Sequence, residues 1–326
     1  MRKNTFLFIL IPIFSFSLFW GCSESSTDSD PVDEYAVLLE YLEGDAGDFI
    51  NTTYTALKSA ADVKTDLGTD QYLIDIRSAG VYDTLGHIPG AVNVAFSDLI
   101  THVEGLTTNP SEIIIICYSG QTAAYGTSLL QLLGHDNVYS MKFGMTSWNS
   151  KFDSWTNNCS NGRYVDFVKT DTPKGPVVDS PVLSTDEEEG PAILRKRVEE
   201  VLAAGFSAGA ITNAAVFADL DGHYINNYWP NDQYLDPGHI PGAINYIPRN
   251  DLKSENYLNT LPADKPVVTY CYTGQGSAFL TAYLRVLGYD AYSLKFGANG
   301  MIHDYMPASK FTSAAIMEYT EIEYTE

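Results

Sequence analysis

One stretch of sequence occurs twice in this chain and constrains the fold more than any other feature. Gly86–Asn93 reads GHIPGAVN, and Gly238–Asn245 reads GHIPGAIN. A cysteine-containing segment follows each copy, and a Lys-Phe-Gly tripeptide, Lys142–Gly144 or Lys295–Gly297, follows each cysteine segment. The matching order and nearly constant spacing indicate that one fold is present twice. We therefore expect the 326 residues to form two domains, each with its own hydrophobic core.

Each repeat is predicted to alternate strands and helices. The β-branched and aromatic runs Ile113–Ile116 and Val267–Tyr270 are typical of strands buried on both faces. Before these runs, an earlier strand is predicted in each repeat at Tyr72–Ile76 and Tyr224–Tyr228. After the cysteines, helices are predicted at Ala123–Leu133 and Ala278–Leu287, with Gly134 and Gly288 at their C-terminal ends. The alternation predicts an α/β fold in which each domain has a mainly parallel central sheet flanked by helices.

Each buried strand leads into a short loop that begins with cysteine. The loops read CYSGQT in Cys117–Thr122 and CYTGQG in Cys271–Gly276. Backbone N–H groups of such a loop, together with the start of a helix, favour negative charge and so a thiolate. We predict that the thiols are the reactive groups and that the remaining loop residues bind substrate: Tyr118, Ser119, Gly120, Gln121 and Thr122, and Tyr272, Thr273, Gly274, Gln275 and Gly276.

These motifs together resemble those of tandem rhodanese-domain proteins. The strand, Cys-x-x-Gly loop and helix resemble the rhodanese active site, the GHIPGA segment resembles the family's upstream signature, and Asp75–Arg77 matches the Asp-x-Arg that ends its early strand. The resemblance implies two rhodanese-like domains and a ping-pong sulfur transfer without cofactor or metal. Cys117 or Cys271 would take sulfur from a thiosulfate-like anion as a persulfide and pass it to cyanide or a thiol.

The chain also departs from the family pattern. Many active members have arginine or lysine within the loop, and these loops have neither. We hypothesise that Lys142 and Lys295 lean toward the loops and supply the missing charge. Asn227 and Trp229 stand in the second repeat where Asp-x-Arg is expected. The alternative function is a non-catalytic module that binds sulfur species or a protein partner.

Other chemistries fit the sequence less well. A tyrosine phosphatase needs an arginine six positions after the cysteine, and Ala123 and Ser277 stand there. In the resembled family the histidine of GHIPGA shapes a turn, so His87 and His239 are predicted to be structural. Cys159 lies outside the repeat and is interpreted as a loop thiol. The alternative is that Cys159 acts as a redox partner.

The N-terminus reads as an export signal. Arg2 and Lys3 precede an apolar run of roughly 15 residues, short for a membrane span of about 20, which ends in Gly21-Cys22. This pattern resembles a bacterial lipobox, in which the thiol of Cys22 receives lipid; secretion and an uncleaved anchor are the alternatives. We predict an exported lipoprotein, anchored to a membrane of the bacterial cell envelope and facing the periplasm or the cell surface.

The predicted order of segments follows from the repeats and from composition. It comprises a signal peptide (1–21), a polar tether (22–33), a first domain (34–168), an acidic linker rich in proline and glycine (169–191), a second domain (192–308) and an acidic tail (309–326). The net charge of −22 repels phosphate backbones, so we expect no nucleic-acid partner. Because the same charge repels anionic substrates at long range, an anion site must work through local dipoles.

Overall fold

The computed structural model describes residues 32–52 and 56–325 and contains two five-stranded parallel sheets, one for each sequence repeat. The first repeat contains, in chain order, α1 (Glu34–Glu43), α2 (Phe49–Thr52), β1 (Leu57–Lys58), α3 (Ala60–Thr65), β2 (Gln71–Asp75), α4 (Ala79–Leu85), β3 (Val92–Asn93), α5 (Leu99–Glu104), β4 (Glu112–Ile116), α6 (Gln121–Leu132), β5 (Val138–Met141) and α7 (Met145–Trp148). Its strand order is β1-β5-β4-β2-β3, and every pair is parallel.

The second repeat has the same layout. It contains α8 (Gly190–Ala204), β6 (Ala210–Ile211), α9 (Asn213–Ala218), β7 (Tyr224–Asn227), α10 (Asn231–Leu235), β8 (Ile244–Asn245), β9 (Val267–Tyr270), α11 (Gln275–Val286), β10 (Ala291–Leu294) and α12 (Asn299–Ile302). Its strand order is β6-β10-β9-β7-β8, again parallel throughout. The predicted α/β class with two helix-flanked parallel sheets is therefore confirmed.

The central strand of each sheet carries the cysteine loop. Parallel neighbours lie on both sides of β4 and β9, and helices cover both faces, which is why continuous apolar runs form these strands. The helices α6 and α11 begin earlier than the sequence predicts, at Gln121 and Gln275. Their starts are fixed by Gly120 and Gly274, which cap the helices with φ of 81° and 75°.

The two repeats share one core, which corrects the expectation of two separate cores. The largest apolar cluster includes Leu129 and Leu130 of the first repeat together with Leu280 and Leu284 of the second. It is continuous because α6 and α11 pack directly against each other, with the Ser128 hydroxyl donating to the Phe279 carbonyl at 2.9 Å. Smaller apolar clusters lie on the outer face of each sheet.

The chain ends bind the opposite repeat. Helix α1, which the sequence assigns to the first domain, packs on α8, and its Tyr35 hydroxyl lies 3.1 Å from that of Tyr289. The C-terminal residues return to the first repeat, where Phe311 is buried and Glu323 exchanges backbone hydrogen bonds with His87 at 2.9 and 3.0 Å. The linker, residues 169–189 in particular, forms neither helix nor strand.

The predicted signal peptide, the lipidation residue Cys22 and most of the tether lie outside the described residues. Within residues 32–52 and 56–325, no helix combines the length and apolar character that crossing a membrane requires.

Candidate active site

Both loop cysteines lie where a central strand ends and a helix begins. Each is only 5% exposed. The sulfur of Cys117 accepts from the N–H groups of Gly120 at 3.1 Å and Ala123 at 3.4 Å, and the sulfur of Cys271 accepts from the N–H of Ser277 at 3.2 Å. Two backbone amides therefore point at the Cys117 sulfur and one at the Cys271 sulfur, each at a helix N-terminus, as the loop sequences predict.

Burial works against those amides in the first loop. Removal from water raises the pKa of the Cys117 thiol, and the N–H groups of Ala123, Gly120 and Ser119 offset part of that rise. The nearby Asp75 carboxylate also raises the pKa. At Cys117 the loop amides thus lower the pKa as expected, but burial outweighs them and the net shift is upward.

The Lys-Phe-Gly turns pack closely against the backbone of the cysteine loops. A Cβ at Gly144 would lie 2.3 Å from the Cys117 carbonyl oxygen, and one at Gly297 would lie 2.3 Å from that of Cys271, so only glycine permits this approach. The preceding phenylalanines, Phe143 and Phe296, have φ of 64° and 61°, which is unusual for bulky residues. The same strained turn is present at both sites, so it belongs to the site's construction.

Each loop is tied to the opposite repeat by a glutamine. The side-chain oxygen of Gln121 accepts from the Phe296 N–H at 2.8 Å, and that of Gln275 accepts from the Phe143 N–H at 3.2 Å. Both glutamines are buried. A Cβ at Gly120 would lie 2.2 Å from Nε2 of Gln275, so the loop glycine also makes room for the side-chain amide of the glutamine in the opposite repeat. We call these two hydrogen bonds the glutamine exchange; they place the predicted substrate ligands Gln121 and Gln275 between the repeats.

The two sulfurs differ in one neighbouring group. Ser277 places its hydroxyl 3.7 Å from the Cys271 sulfur, whereas Ala123 occupies the corresponding position beside Cys117. That hydroxyl also lies 2.7 Å from the hydroxyl of Ser293, which donates to the Gly274 carbonyl at 3.2 Å. Sequence reasoning used Ser277 only to exclude a phosphatase. The signal in the sequence that could have placed this hydroxyl near the sulfur is the position of Ser277, two residues after the glutamine of the loop.

The loop tyrosines are held by different partners. Tyr118 is 37% exposed, and its ring lies 5.5 Å from the guanidinium carbon of Arg77, which forms a buried ion pair with Asp75 at 2.6 Å. In the second repeat Trp229 replaces that arginine and stacks on Tyr272 at a centroid distance of 5.0 Å. The predicted pairing of Asp-x-Arg is therefore present in the first repeat alone, and an aromatic stack takes its place in the second.

The remaining loop residues are placed unequally. Ser119 accepts through its carbonyl from Trp155 Nε1 at 3.1 Å, and through its hydroxyl from Gln121 Nε2 at 3.1 Å. Thr273 is buried and accepts from the Gln275 N–H at 3.3 Å, and Gly276 is buried as well. Thr122 is half-buried and faces a cavity beside the loop.

A cavity of about 650 Å³ lies beside the first loop. Its lining comes from both repeats: Phe96, Tyr118, Ser119, Gln121, Thr122, Ser154, Asn158, Gly205, Phe206, Ser207, Ala210, Lys295 and Phe296. Lys295 therefore lines the cavity beside the first cysteine's loop although it belongs to the second repeat. The ammonium group of Lys142, which is not part of this lining, lies 5.2 Å from the ring of Phe143. The hypothesis that each lysine supplies charge to a loop therefore stays a prediction.

An aromatic cluster backs the site. Phe143, Trp155 and Phe311 pack together with ring centroids 5.0–5.3 Å apart, so the C-terminal segment completes the support of the first loop through Trp155. Cys159 packs against this cluster and is half-buried. Burial, with smaller contributions from nearby Asp153 and Asp304, raises its pKa to about 11, which disfavours the thiolate that a redox partner needs.

The histidines of the repeated signature have structural partners. His87 and His239 stack on Tyr82 and Tyr234 at centroid distances of 3.6 Å, and each Nδ1 bonds the backbone oxygen of the same tyrosine. The prediction that they shape the turn is confirmed. Across the part of the chain that the structure describes, no group of three or more His, Cys, Asp or Glu side chains could hold a metal ion.

Comparison with known proteins gives one family. The profile described as "Rhodanese-like domain" matches residues 59–151 and 206–303, together more than half of the chain. The matches contain both cysteine loops and fall within the two predicted domains.

Individual relatives are more distant. Thiosulfate sulfurtransferase of Corynebacterium glutamicum is 27% identical over 258 residues, which cover 67% of this chain and 78% of that protein. Thiosulfate sulfurtransferase GlpE of Pseudoalteromonas translucida is 34% identical over 83 residues, which cover 26% of this chain and 77% of that protein. The solved structure of the 3-mercaptopyruvate sulfotransferase SseA of Escherichia coli is 18% identical, covers 73% of this chain and 98% of its own, and aligns with a TM-score of 0.26.

Proposed function

This chain belongs to the rhodanese-like domain family, and we propose that it is a sulfurtransferase that moves sulfane sulfur from a thiosulfate-like donor to a thiol or cyanide. The observation that carries the proposal is the placement of both cysteine sulfurs at the start of a helix, where two backbone N–H groups donate to Cys117 and one donates to Cys271. Such a position stabilises a negatively charged sulfur, which both the nucleophile and the persulfide require. The thiosulfate sulfurtransferases of Corynebacterium glutamicum and Pseudoalteromonas translucida, which resemble this chain, support the same class of reaction.

The proposed reaction has two steps. The thiolate of Cys117 or Cys271 attacks the outer sulfur of thiosulfate; the S–S bond of the donor breaks, and sulfite leaves with the electron pair. The acceptor then attacks the outer sulfur of the resulting persulfide and restores the thiolate. The loop amides hold the negative charge in both steps without reorganising, because α6 and α11 fix them.

A treatment with thiosulfate tests the proposal directly. We expect the intact mass to rise by one sulfur atom for each working cysteine and to return to its starting value after cyanide or a thiol is added. Cys117→Ala and Cys271→Ala each remove the sulfur that their site carries, and Cys159→Ala is the matched control. A chain that gains sulfur at neither loop cysteine would refute the enzyme.

The alternative is a non-catalytic module that binds sulfur species or a protein partner. The raised pKa of Cys117 favours it, since a buried thiol is a weaker nucleophile at neutral pH. The two functions separate in the same experiment, because a non-catalytic module binds thiosulfate without breaking its S–S bond and therefore gains no covalent sulfur at either cysteine.

We further propose that the chain is an exported lipoprotein of the bacterial cell envelope. The support is the sequence alone: an apolar run after Arg2 and Lys3 that ends in Gly21-Cys22. Labelling with a radioactive fatty acid should mark the wild-type protein and leave Cys22→Ala unlabelled. Equal labelling of both would contradict lipid attachment at Cys22.

A further inference from the structure

The cavity beside the first cysteine loop is too large for the small anion that the proposed reaction begins with. Its volume of about 650 Å³ lies within the range of roughly 300–1,000 Å³ that is usual for sites of organic ligands. Water occupies about 30 Å³ per molecule in the liquid, so a five-atom anion such as thiosulfate would leave most of this space to solvent. The second substrate, the sulfur acceptor, can use the remaining volume.

Aromatic side chains from both repeats form the cavity walls. Phe96 and Tyr118 come from the first repeat, and Phe206 and Phe296 come from the second. Phe96 and Phe206 both pack on the ring of the buried Tyr125, at centroid distances of 6.3 and 5.4 Å. Because one buried ring supports both walls, the aromatic surface is formed before a ligand enters. Such walls suit an apolar or aromatic body.

The cavity has a single charge of its own, and that charge is positive. Lys295 is exposed at the wall, and no aspartate or glutamate is among the lining residues, although the chain has 41 acidic and 19 basic residues. Among residues 32–52 and 56–325, no carboxylate oxygen lies within 4.0 Å of the Lys295 ammonium nitrogen, so it is available to a ligand. A local positive group without a carboxylate beside it selects one negative charge.

We propose that this cavity binds an organic thiol with an apolar or aromatic body and one carboxylate, and that this thiol is the acceptor for sulfur carried on Cys117. The proposal rests on the proposed sulfur transfer. The acceptor's thiolate attacks the outer sulfur of the Cys117 persulfide and forms a new S–S bond. The S–S bond to Cys117 breaks, its electron pair stays on Cys117 as thiolate, and the product is the organic persulfide. No electrons enter or leave the pair of reactants.

The first experiment measures binding without chemistry. The full chain is titrated with 3-phenylpropionate and with the neutral 3-phenylpropanol, and affinity is read by calorimetry. We expect the acid to bind more tightly than the alcohol, by about two- to fivefold, as for an exposed ion pair. Lys295→Gln should abolish this preference. Lys196→Gln removes the same charge from the exposed surface of α8, away from the cavity lining, and should preserve it.

The second experiment measures transfer. Sulfur is loaded with thiosulfate, and loss of the persulfide from Cys117 is followed by peptide mass for 4-mercaptophenylacetate and its methyl ester. We expect the acid to have the lower KM in wild type and Lys196→Gln, and equal KM values in Lys295→Gln. Phe206→Ala should raise KM for both compounds by about three- to tenfold, whereas Phe217→Ala, a half-buried phenylalanine outside the cavity, should not.

The outcomes separate the two proposals. If no persulfide forms, the sulfur-transfer proposal fails, and the binding experiment still decides the ligand class. If the persulfide forms but acid and ester discharge it equally in wild type, or if Lys295→Gln and Lys196→Gln behave alike, the proposed acceptor class is overturned while the transfer stands.

Discussion

Replacing Gln275 by leucine tests whether the two cysteine sites are mechanically linked. Gln275 is fully buried in the second loop, yet its oxygen accepts from the Phe143 N–H of the first repeat at 3.2 Å, and its amide nitrogen lies against Gly120. Leucine has similar volume and lacks the acceptor. The substitution therefore removes one half of the glutamine exchange without opening a large cavity.

The expected effect follows from the group left behind. Loss of the acceptor leaves the buried Phe143 N–H without a partner, which costs about 1–3 kcal/mol. Leucine also removes the Gln275 amide nitrogen, which is buried without a hydrogen-bond partner in the described part of the chain, so we expect the lower range, about 1–2 kcal/mol. If this free energy is lost from the contact between the repeats, openings that expose the first loop become about five- to 30-fold more frequent.

The assay reads that opening at the cysteine. Cys117 is 5% exposed, so more frequent openings of the loop give a bulky thiol reagent greater access to its sulfur, and its labelling rate at neutral pH should rise by up to the same factor. The matched control is Gln131→Leu. Gln131 is also buried but donates to the Val138 carbonyl at 2.7 Å within its own repeat, so its replacement should lower stability in urea without changing Cys117 labelling.

Equal labelling of Cys117 in wild type and Gln275→Leu would refute the reasoning, provided that urea unfolding shows the expected loss of stability. It would mean that the exchange stabilises the fold as a whole and does not restrain the first loop. Matching results for Gln131→Leu and Gln275→Leu in both assays would have the same meaning.

Three other changes probe the site's surroundings. Phe311→Ala should lower the free energy of unfolding, measured in urea, by about 3–5 kcal/mol, because a 3%-exposed ring is lost from the aromatic cluster. Val165→Ala, at an 89%-exposed position, is the control and should change it by less than about 0.5 kcal/mol. Similar values for the two variants would contradict the docking of the C-terminal segment. Arg77→Ala should cost about 3–5 kcal/mol by the same measurement, since it leaves the Asp75 carboxylate buried and unpaired, and a loss under about 1 kcal/mol would show that the pair is dispensable. Burial raises the pKa of Cys117 above the ordinary 9.0, so the stability that its neutral thiol contributes is complete below pH 9 and is lost as pH rises through the raised pKa. Wild type should therefore lose more stability than Cys117→Ser between about pH 9 and 11. Parallel curves of stability against pH for the two proteins would contradict the shift.

Local pattern predicted much of the fold. The runs Ile113–Ile116 and Val267–Tyr270 form central strands, because a parallel sheet covered on both faces buries β-branched and aromatic side chains that follow one another along a strand. The helix starts were predicted two or three residues late. Pattern reasoning placed Gln121 and Gln275 in the loop as polar ligands, and the left-handed glycine before each makes it the first residue of a helix instead.

The site was predictable in part. The sequence identifies Cys117, Cys271 and their amides, since these groups are adjacent in the chain and their geometry is local. It could not give the pKa of Cys117, because desolvation depends on every element packed around the sulfur. It also could not show that the Ser277 hydroxyl lies 3.7 Å from the Cys271 sulfur, because that contact depends on the direction of one side chain.

The duplication, the parallel sheets and the identity of the two cysteines were therefore determined by the sequence alone, because each follows from neighbours along the chain. The tertiary structure decided how the repeats meet. It packs α6 on α11, exchanges the glutamines, and brings Lys295 of one repeat to the cavity of the other. The physical reason is that two similar apolar helix faces bury most surface against each other, and this contact between segments far apart in the sequence fixes which side chains share a site.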